Sequence, residues 1–369
     1  MIRHRPISAF LFAASNLLGQ TETPVELAPV VVTGKAESLV GTAPSASKGQ
    51  ANAAEIANRP YLRRSETLET IPGMITTQHA GGGKATQYFL RGFNLDHGTD
   101  FATSIDGMPM NLKTHAHGQG YTDLNPLIPE LVESVDYVKG TYTAENGDLS
   151  TAGSADFKLF DVLPGHSVTL GFGDYNYYRA LMAGSLHLDV DAPFTATSPS
   201  KSPGKNPVTP SAPSSDIHAL TYALEYNFYD GPFDLDEGFN RLNGLLRYFK
   251  GDTENHFAAT FMAYRADWTS SDQIPLRAVQ SGQLSRFGNL DPSNGGESQR
   301  YSLNLELQTR DGDVVTHANA YAIYYDLDLY SNFTYNLDFP DRGDQFEQAE
   351  QRWIFGGNVS RTWGDRELF

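Results

Sequence analysis

Cysteine is absent from the 369 residues, so neither disulfides nor thiolate metal sites are open to this chain. Long apolar runs are missing as well. No stretch approaches the roughly 18 uninterrupted apolar residues of a membrane-spanning helix, so any crossing of a bilayer has to be made by strands. Basic residues are scarce, 27 against 44 acidic, and the resulting net charge of −17 argues against nucleic acid as a partner. The His-Glu-x-x-His spacing of zinc enzymes does not occur. What is present is enough length, with 40% hydrophobic residues, to build two domains and a sizeable core.

Residues 67–153 are the most informative stretch. Thr67-Leu68-Glu69-Thr70 runs into Ile71-Pro72-Gly73-Met74. Proline cannot continue a helix and glycine accepts the left-handed turn that follows, so a short helix is expected to stop here and release 74–77 as a strand. Gly81-Gly82-Gly83 comes next, then Tyr88-Phe89-Leu90-Arg91-Gly92-Phe93. Ser104-Ile105-Asp106-Gly107-Met108 sets Asp-Gly between apolar neighbours, a specific short-range hairpin signal, and predicts Pro109 at a strand edge. Residues 131–138 alternate imperfectly, carry β-branched side chains and read as a strand with one wet face, ending at Lys139-Gly140. Taken singly, these signals also fit an ordinary small α+β domain.

In their order they resemble the plug domain of TonB-dependent outer-membrane receptors: leucine before Pro72-Gly73, the Arg91-Gly92 step, the Asp106-Gly107 hairpin, and a valine-rich strand closing on Lys139-Gly140. The resemblance covers about residues 29–161. It implies an N-terminal α+β plug followed by antiparallel transmembrane β-barrel strands, in the outer membrane of a Gram-negative-type bacterium. It also implies energy-coupled uptake of a scarce ligand rather than enzyme activity. Arg91 is expected, on the same ground, to pair with carboxylates of the barrel wall. The chain departs from the common pattern at Lys139-Gly140-Thr141, where many members have Arg-Gly-Pro, which points to a divergent subgroup.

Ahead of the plug, Arg3, His4 and Arg5 followed by an apolar 7–19 stretch have the layout of an export signal, expected over residues 1–20. Val30-Val31-Val32-Thr33 lies in a polar tail as a strand waiting for an edge, the geometry of β-augmentation. The resemblance makes these four residues the TonB box, with TonB and its inner-membrane ExbB/ExbD motor as partners. The Ser, Ala, Gly, Thr and Pro content of 37–50 reads as a flexible linker, so the segment 21–50 carries box and linker and the plug is expected over 51–160.

Residues 161–369 change to long aromatic-rich alternating segments at 167–173, 178–190, 217–229, 239–249, 256–268, 301–309, 314–330 and 352–363. Their length and aromatic ends match barrel strands with an apolar outer band facing lipid, although a soluble β-sandwich patterns similarly. Short turns at 173–176 and 250–253 against long connections at 191–216 and 268–300 suggest the loop asymmetry of outer-membrane barrels. A plugged barrel of about 22 strands needs roughly 220 residues before turns are counted, and only 212 follow Phe157. About eight strands fit, too few to enclose a plug, so a receptor fragment is expected. Phe369 superficially resembles a terminal barrel aromatic, but the residues before it form no apolar face.

For ligand binding, His115 and His117 at i and i+2 share a strand face and could take a divalent metal or a metal chelate through neutral imidazole; His79, Asp96 and His97 are further candidates. Hydrogen-bonding loop histidines would look the same, and neither a resident metal nor a cofactor is assigned. The expected partners are outer-membrane lipid and a small extracellular ligand. Alternatives are a plug-containing signalling module without transport, or a secreted carbohydrate enzyme using acids such as Asp234, Asp236 and Glu237.

Overall fold

The computed structural model describes residues 41–78, 80–188, 216–332, 334 and 337–364. The export-signal segment, Val30 to Thr33, His79, residues 189–215 and the last five residues lie outside them.

The N-terminal part is built on a mixed sheet. Strand β1 (Lys48–Asn52) pairs antiparallel with β9 (Val132–Lys139), and β9 with β10 (Gly153–Leu159). β10 runs parallel to β5 (Phe101–Ile105), which turns back through Asp106-Gly107 into β6 (Met108–Pro109). Positive φ at both turn residues, 46° and 73°, is what a two-residue hairpin matched to strand twist requires. β6 ends the sheet order, so Pro109 is at an edge, where its missing N–H costs no ladder bond. Smaller pieces close the rest: β2 (Met74–Thr77) with β3 (Gln87–Leu90) and β4 (Phe93–Asn94), and β7 (Asn111–Leu112) with β8 (Tyr121–Thr122).

Helix α1 (Ala53–Ala57) is capped by the Asn52 side chain on the Glu55 N–H. A 3₁₀ turn over Arg64–Thr70 ends before Pro72-Gly73, with Gly73 at φ 88°. β1 begins inside the stretch read as flexible linker. Its Gly49 lies against the Tyr137 ring, so pairing with β9 overrides a disorder-prone composition.

The C-terminal part is an eight-stranded antiparallel meander. It comprises β11 (Ser167–Gly173), β12 (Tyr177–His187), β13 (Ile217–Tyr229), β14 (Phe239–Gly251), β15 (His256–Thr269), β16 (Gly295–Asp311), β17 (Val314–Ser331) and β18 (Phe346–Trp363). All eight expected strands are there. β16 and β18 start six residues earlier than the alternation suggested, because Ser298, Arg300, Gln348 and Glu350 are polar residues on a strand face that meets other protein. Among the described residues β18 does not pair with β11, and the sheet is not closed.

The meander also corrects the loop reading. Connections alternate between its two ends, so the tight 174–176 turn shares an end with the 230–238, 270–294 and 332–345 connections. The 252–255 and 312–313 turns lie at the other end, beside the strand ends that flank 189–215. Loop length alone could not assign sides, since an antiparallel strand order does that.

Burial along the sheet is inverted relative to a soluble protein. On β14, Arg241, Asn243 and Arg247 are buried while Leu242 and Leu246 are exposed. Glu225 and Asn227 are buried on β13 beside exposed Leu224 and Tyr226. Leu303, Leu305 and Leu307 are exposed on β16 while Ser302 and Asn304 are buried. A sandwich would bury the leucines and expose the arginines; this sheet keeps its polar face for the plug and its apolar face outward, as barrel strands do. Among the described residues no helix is long and apolar enough to cross a membrane.

Candidate functional site

The plug is seated on the wall by a polar seam. Glu225 of β13, fully buried, pairs with Arg64 of the plug's 3₁₀ turn and with Arg179 of β12 at 2.6 Å, and its other oxygen accepts from Asn243 at 3.1 Å. Arg179 also forks onto both oxygens of Glu130 on the plug, at 2.6 and 2.9 Å. Arg241 and Asn243 reach Asn125 of the plug through its side chain and carbonyl.

A second knot holds the Asp106-Gly107 hairpin. Arg247 contacts the Asp106 carboxylate at 3.0 Å and Asp161 at 2.6 Å, while Asn304 and Asn319 donate to the Asp106 carbonyl and Arg300 to that of Pro109. Burial pushes the Asp106 carboxyl up to about 7 against the pull of Arg247. Pairs of this kind return little net stability once desolvation is counted, yet removing one partner costs about 3–5 kcal/mol, because a buried charge is left alone.

Arg91 does not take the expected role. At φ 54° it turns the chain beside Gly92, and its guanidinium donates to the Ala46 carbonyl at 3.2 Å, within the plug. The wall-facing arginine is Arg64. The motif gave no sign of this, because Arg64 lies outside it and is selected by packing under the wall. Pro72 and Lys139, far apart in sequence, do meet: the Lys139 ammonium donates to the Pro72 carbonyl at 3.3 Å, and Gly140 continues with φ 106°.

The glycine run 81–83 lies flat against β14 and β15. A Cβ on Gly83 would sit 2.0 Å from the Trp268 ring and one on Gly82 2.9 Å from Phe239, so only glycine lets the backbone approach this closely. Gly82 also donates to Glu237, whose carboxyl burial pushes up to about 7. Asp234 accepts from Ser285, and with Glu237 tied to the plug these acids serve as loop and seat contacts.

At the end of the sheet carrying the 270–294 and 332–345 connections, the plug loop after β7 presents its histidines to β17 and β18. Gln348, Glu350 and Arg352, at alternate positions of β18, all face that loop. Gln348 donates to the Ala116 carbonyl at 2.9 Å, Glu350 accepts the Ala116 N–H at 2.7 Å, and Arg352 donates to Thr114. His115 stacks on Tyr121, with ring centroids 3.8 Å apart and planes 9° from parallel. Its Nδ1 accepts the His117 N–H at 3.1 Å, so its proton is on Nε2, which faces the Tyr325 hydroxyl at 3.2 Å. Burial pushes His115 down to about 3, and burial with the nearby Lys84 lowers His117.

The His97 ring, itself buried, meets His117 with their Nε2 atoms 3.2 Å apart. The Asp96 carboxylate is 3.7 Å from His97 Nε2. Four of the five sequence candidates, Asp96, His97, His115 and His117, are thus assembled at one place. Tyr121, Tyr325, Gln348 and Glu350 complete the cluster without having been singled out, since only tertiary packing brings their strands to the loop.

Residues 42–154 match the TonB-dependent receptor plug domain family. Among solved structures, the siderophore receptor PiuA from Acinetobacter baumannii superposes with a TM-score of 0.62 at 13% identity, covering 87% of this chain and 43% of that one. The copper transporter OprC gives 0.60 at 16%, covering 92% and 45%. The ferric citrate transporter FecA in its unliganded form gives 0.57 at 14%, covering 78% and 41%. The chain therefore has the fold of TonB-dependent outer-membrane receptors and spans less than half the length of these structures.

Proposed function

We propose that this chain, whose residues 42–154 are a TonB-dependent receptor plug domain, acts in the outer membrane as part of a receptor for energy-coupled uptake of a scarce small ligand, such as a siderophore or metal chelate. The observation that carries the reading is the inverted sheet: its leucines face outward for lipid, and its arginines and glutamates hold the plug. A seat made of ion pairs and hydrogen bonds can exchange its partners for water, which suits a plug that has to move. Solved structures of this fold named for copper, siderophore and ferric citrate transport support the ligand class.

Ligand enters from the end bearing the histidine cluster. Release of Val30, Val31, Val32 and Thr33 to TonB, driven by ExbB/ExbD, then transmits the pull. Among the described residues the outer edges of β11 and β18 carry no strand partner, which leaves their backbone groups open to pairing. Pull-down of a TonB C-terminal domain by the 369-residue chain tests the coupling. Binding is expected, with loss on Val31→Pro, which removes a ladder donor; equal capture by both proteins would refute the assignment of the box.

A further inference from the structure

Arg91, turned away from the wall, holds the place where the chain enters the plug. Its guanidinium donates to the Ala46 carbonyl, inside a tight reversal that the Ser45 hydroxyl closes by accepting the Ser47 and Lys48 N–H groups at 3.2 and 3.0 Å. Before the reversal, Thr42 exchanges both backbone bonds with Gln50, at 2.9 and 2.7 Å, and Gly41 lies against Gln50 and Ala51. After it comes β1. Residues 41–52 are therefore one hairpin laid on the edge of the plug sheet: β1 has β9 on one side and, among the described residues, only the Thr42 bridge on the other.

Little apolar packing fastens this hairpin. β1 reads Lys48-Gly49-Gln50-Ala51-Asn52, and of these Ala51 alone puts an apolar side chain in the core. The next core side chain along the chain is Ile56, in α1, whose start Asn52 caps. β9, by contrast, buries Val132, Val135 and Tyr137 and keeps β10 as its other neighbour. Segments with few buried apolar contacts open at free energies well below that of global unfolding. Antiparallel ladder bonds run perpendicular to the strands, so a strand drawn back by its turn parts from its neighbour pair by pair. Here that order runs from Lys48 against Val138 to Asn52 against Ser134. The hairpin also walls a cavity: Lys48 and Gly49 line a polar space of about 720 Å³ with Asp136, Asp156, Tyr321 and Asn358, between the plug sheet and β17–β18.

We propose that residues 41–52 are a detachable gate strand of the plug, with the bond from Arg91 to Ala46 as its catch. The hairpin opens as a unit from Lys48 to Asn52, and in opening it enlarges the polar space between plug and wall. Arg91 is a positioning residue that sets how often the gate opens. This rests on the receptor reading and gives the plug a part that moves while the rest stays seated. Its test reads opening without TonB or ligand, so failure here leaves uptake standing.

The test follows hydrogen exchange in the 369-residue chain in detergent. In the unmodified protein the amides of 48–52 should share one protection factor, about tenfold or more below those of 101–105 and 153–159. Arg91→Ala should lower it by a further factor of about three to ten, as one lost hydrogen bond would, and leave β5 and β10 unchanged. Arg91→Lys, which keeps a donor for Ala46, should recover most of that protection, and Arg310→Ala, at an exposed arginine facing Glu254, should have no effect. The absence of cysteine allows a second reading behind the gate. Ser154→Cys, on the lining of the same cavity, should react with a bulky polyethylene glycol maleimide faster in the Arg91→Ala background by the same factor. Equal protection of β1 and β10, an Arg91→Ala effect spread over β5 and β10, no recovery with lysine, or bulky labelling indifferent to Arg91 would overturn the proposal.

Discussion

Single residues show how far side-chain type alone can mislead. His115 reads in sequence as a metal ligand, yet both its nitrogens are engaged, one by the His117 N–H and one toward Tyr325. It is a buried neutral histidine that holds the loop. Because the folded chain keeps it neutral down to about pH 3, the unfolded chain binds the extra proton between that value and the ordinary imidazole value near 6.5. The sign follows directly: His115 contributes stability that is complete above about pH 6.5 and is lost as pH falls, at up to about 1.4 kcal/mol per pH unit. Protection factors of the 114–122 amides, with intrinsic exchange divided out, should fall between pH 7.5 and 5, and His115→Gln should flatten that dependence; an unchanged slope would sink this account. Arg64 and Arg91 make the complementary point, since the motif arginine stays within the plug while an unremarkable one reaches Glu225.

At the scale of elements, sequence signals were reliable where local chemistry decides. Asp106-Gly107 turned where expected, Pro72-Gly73 ended its helix, and all eight strand segments formed. They failed where an element is shaped by its neighbour: β1 forms from linker-like residues because β9 offers an edge, and β16 and β18 run longer because the plug covers their polar starts. The glycine run 81–83 belongs to this class. Its need for glycine lies in the Trp268 and Phe239 rings rather than in its own dihedrals. Gly83→Val should force the loop off the wall, at about 1–3 kcal/mol for an overpacked contact. Limited proteolysis near residues 78–84 should rise severalfold, with the meander strands still protected; protection equal to the parent chain would show that the loop accommodates the side chain.

For the whole molecule, the deciding feature is which face of the sheet is wet. Leu246 and its cross-strand neighbour Phe261 lie mid-strand on the outer face, 49% and 43% exposed. In a water-soluble sandwich Leu246→Arg would be harmless or would help solubility. On a lipid face it should cost about 2–4 kcal/mol at the bilayer midplane. Refolding into phosphatidylcholine vesicles, followed in urea, measures the difference, and an unchanged midpoint would contradict the lipid-facing assignment.

The sequence alone determined the order of plug motifs, the strands and the choice of strands over helices for any crossing, because turn chemistry, alternation and the absence of long apolar runs are local properties. Only the tertiary structure decided that the arginines of β14 point inward, that Arg64 rather than Arg91 meets the wall, and that His97 joins His117 while His115 stands aside. Those outcomes depend on which face of one element is covered by another, and residues separated by as many as 238 positions, such as Thr114 and Arg352, carry no mark of each other until the chain folds.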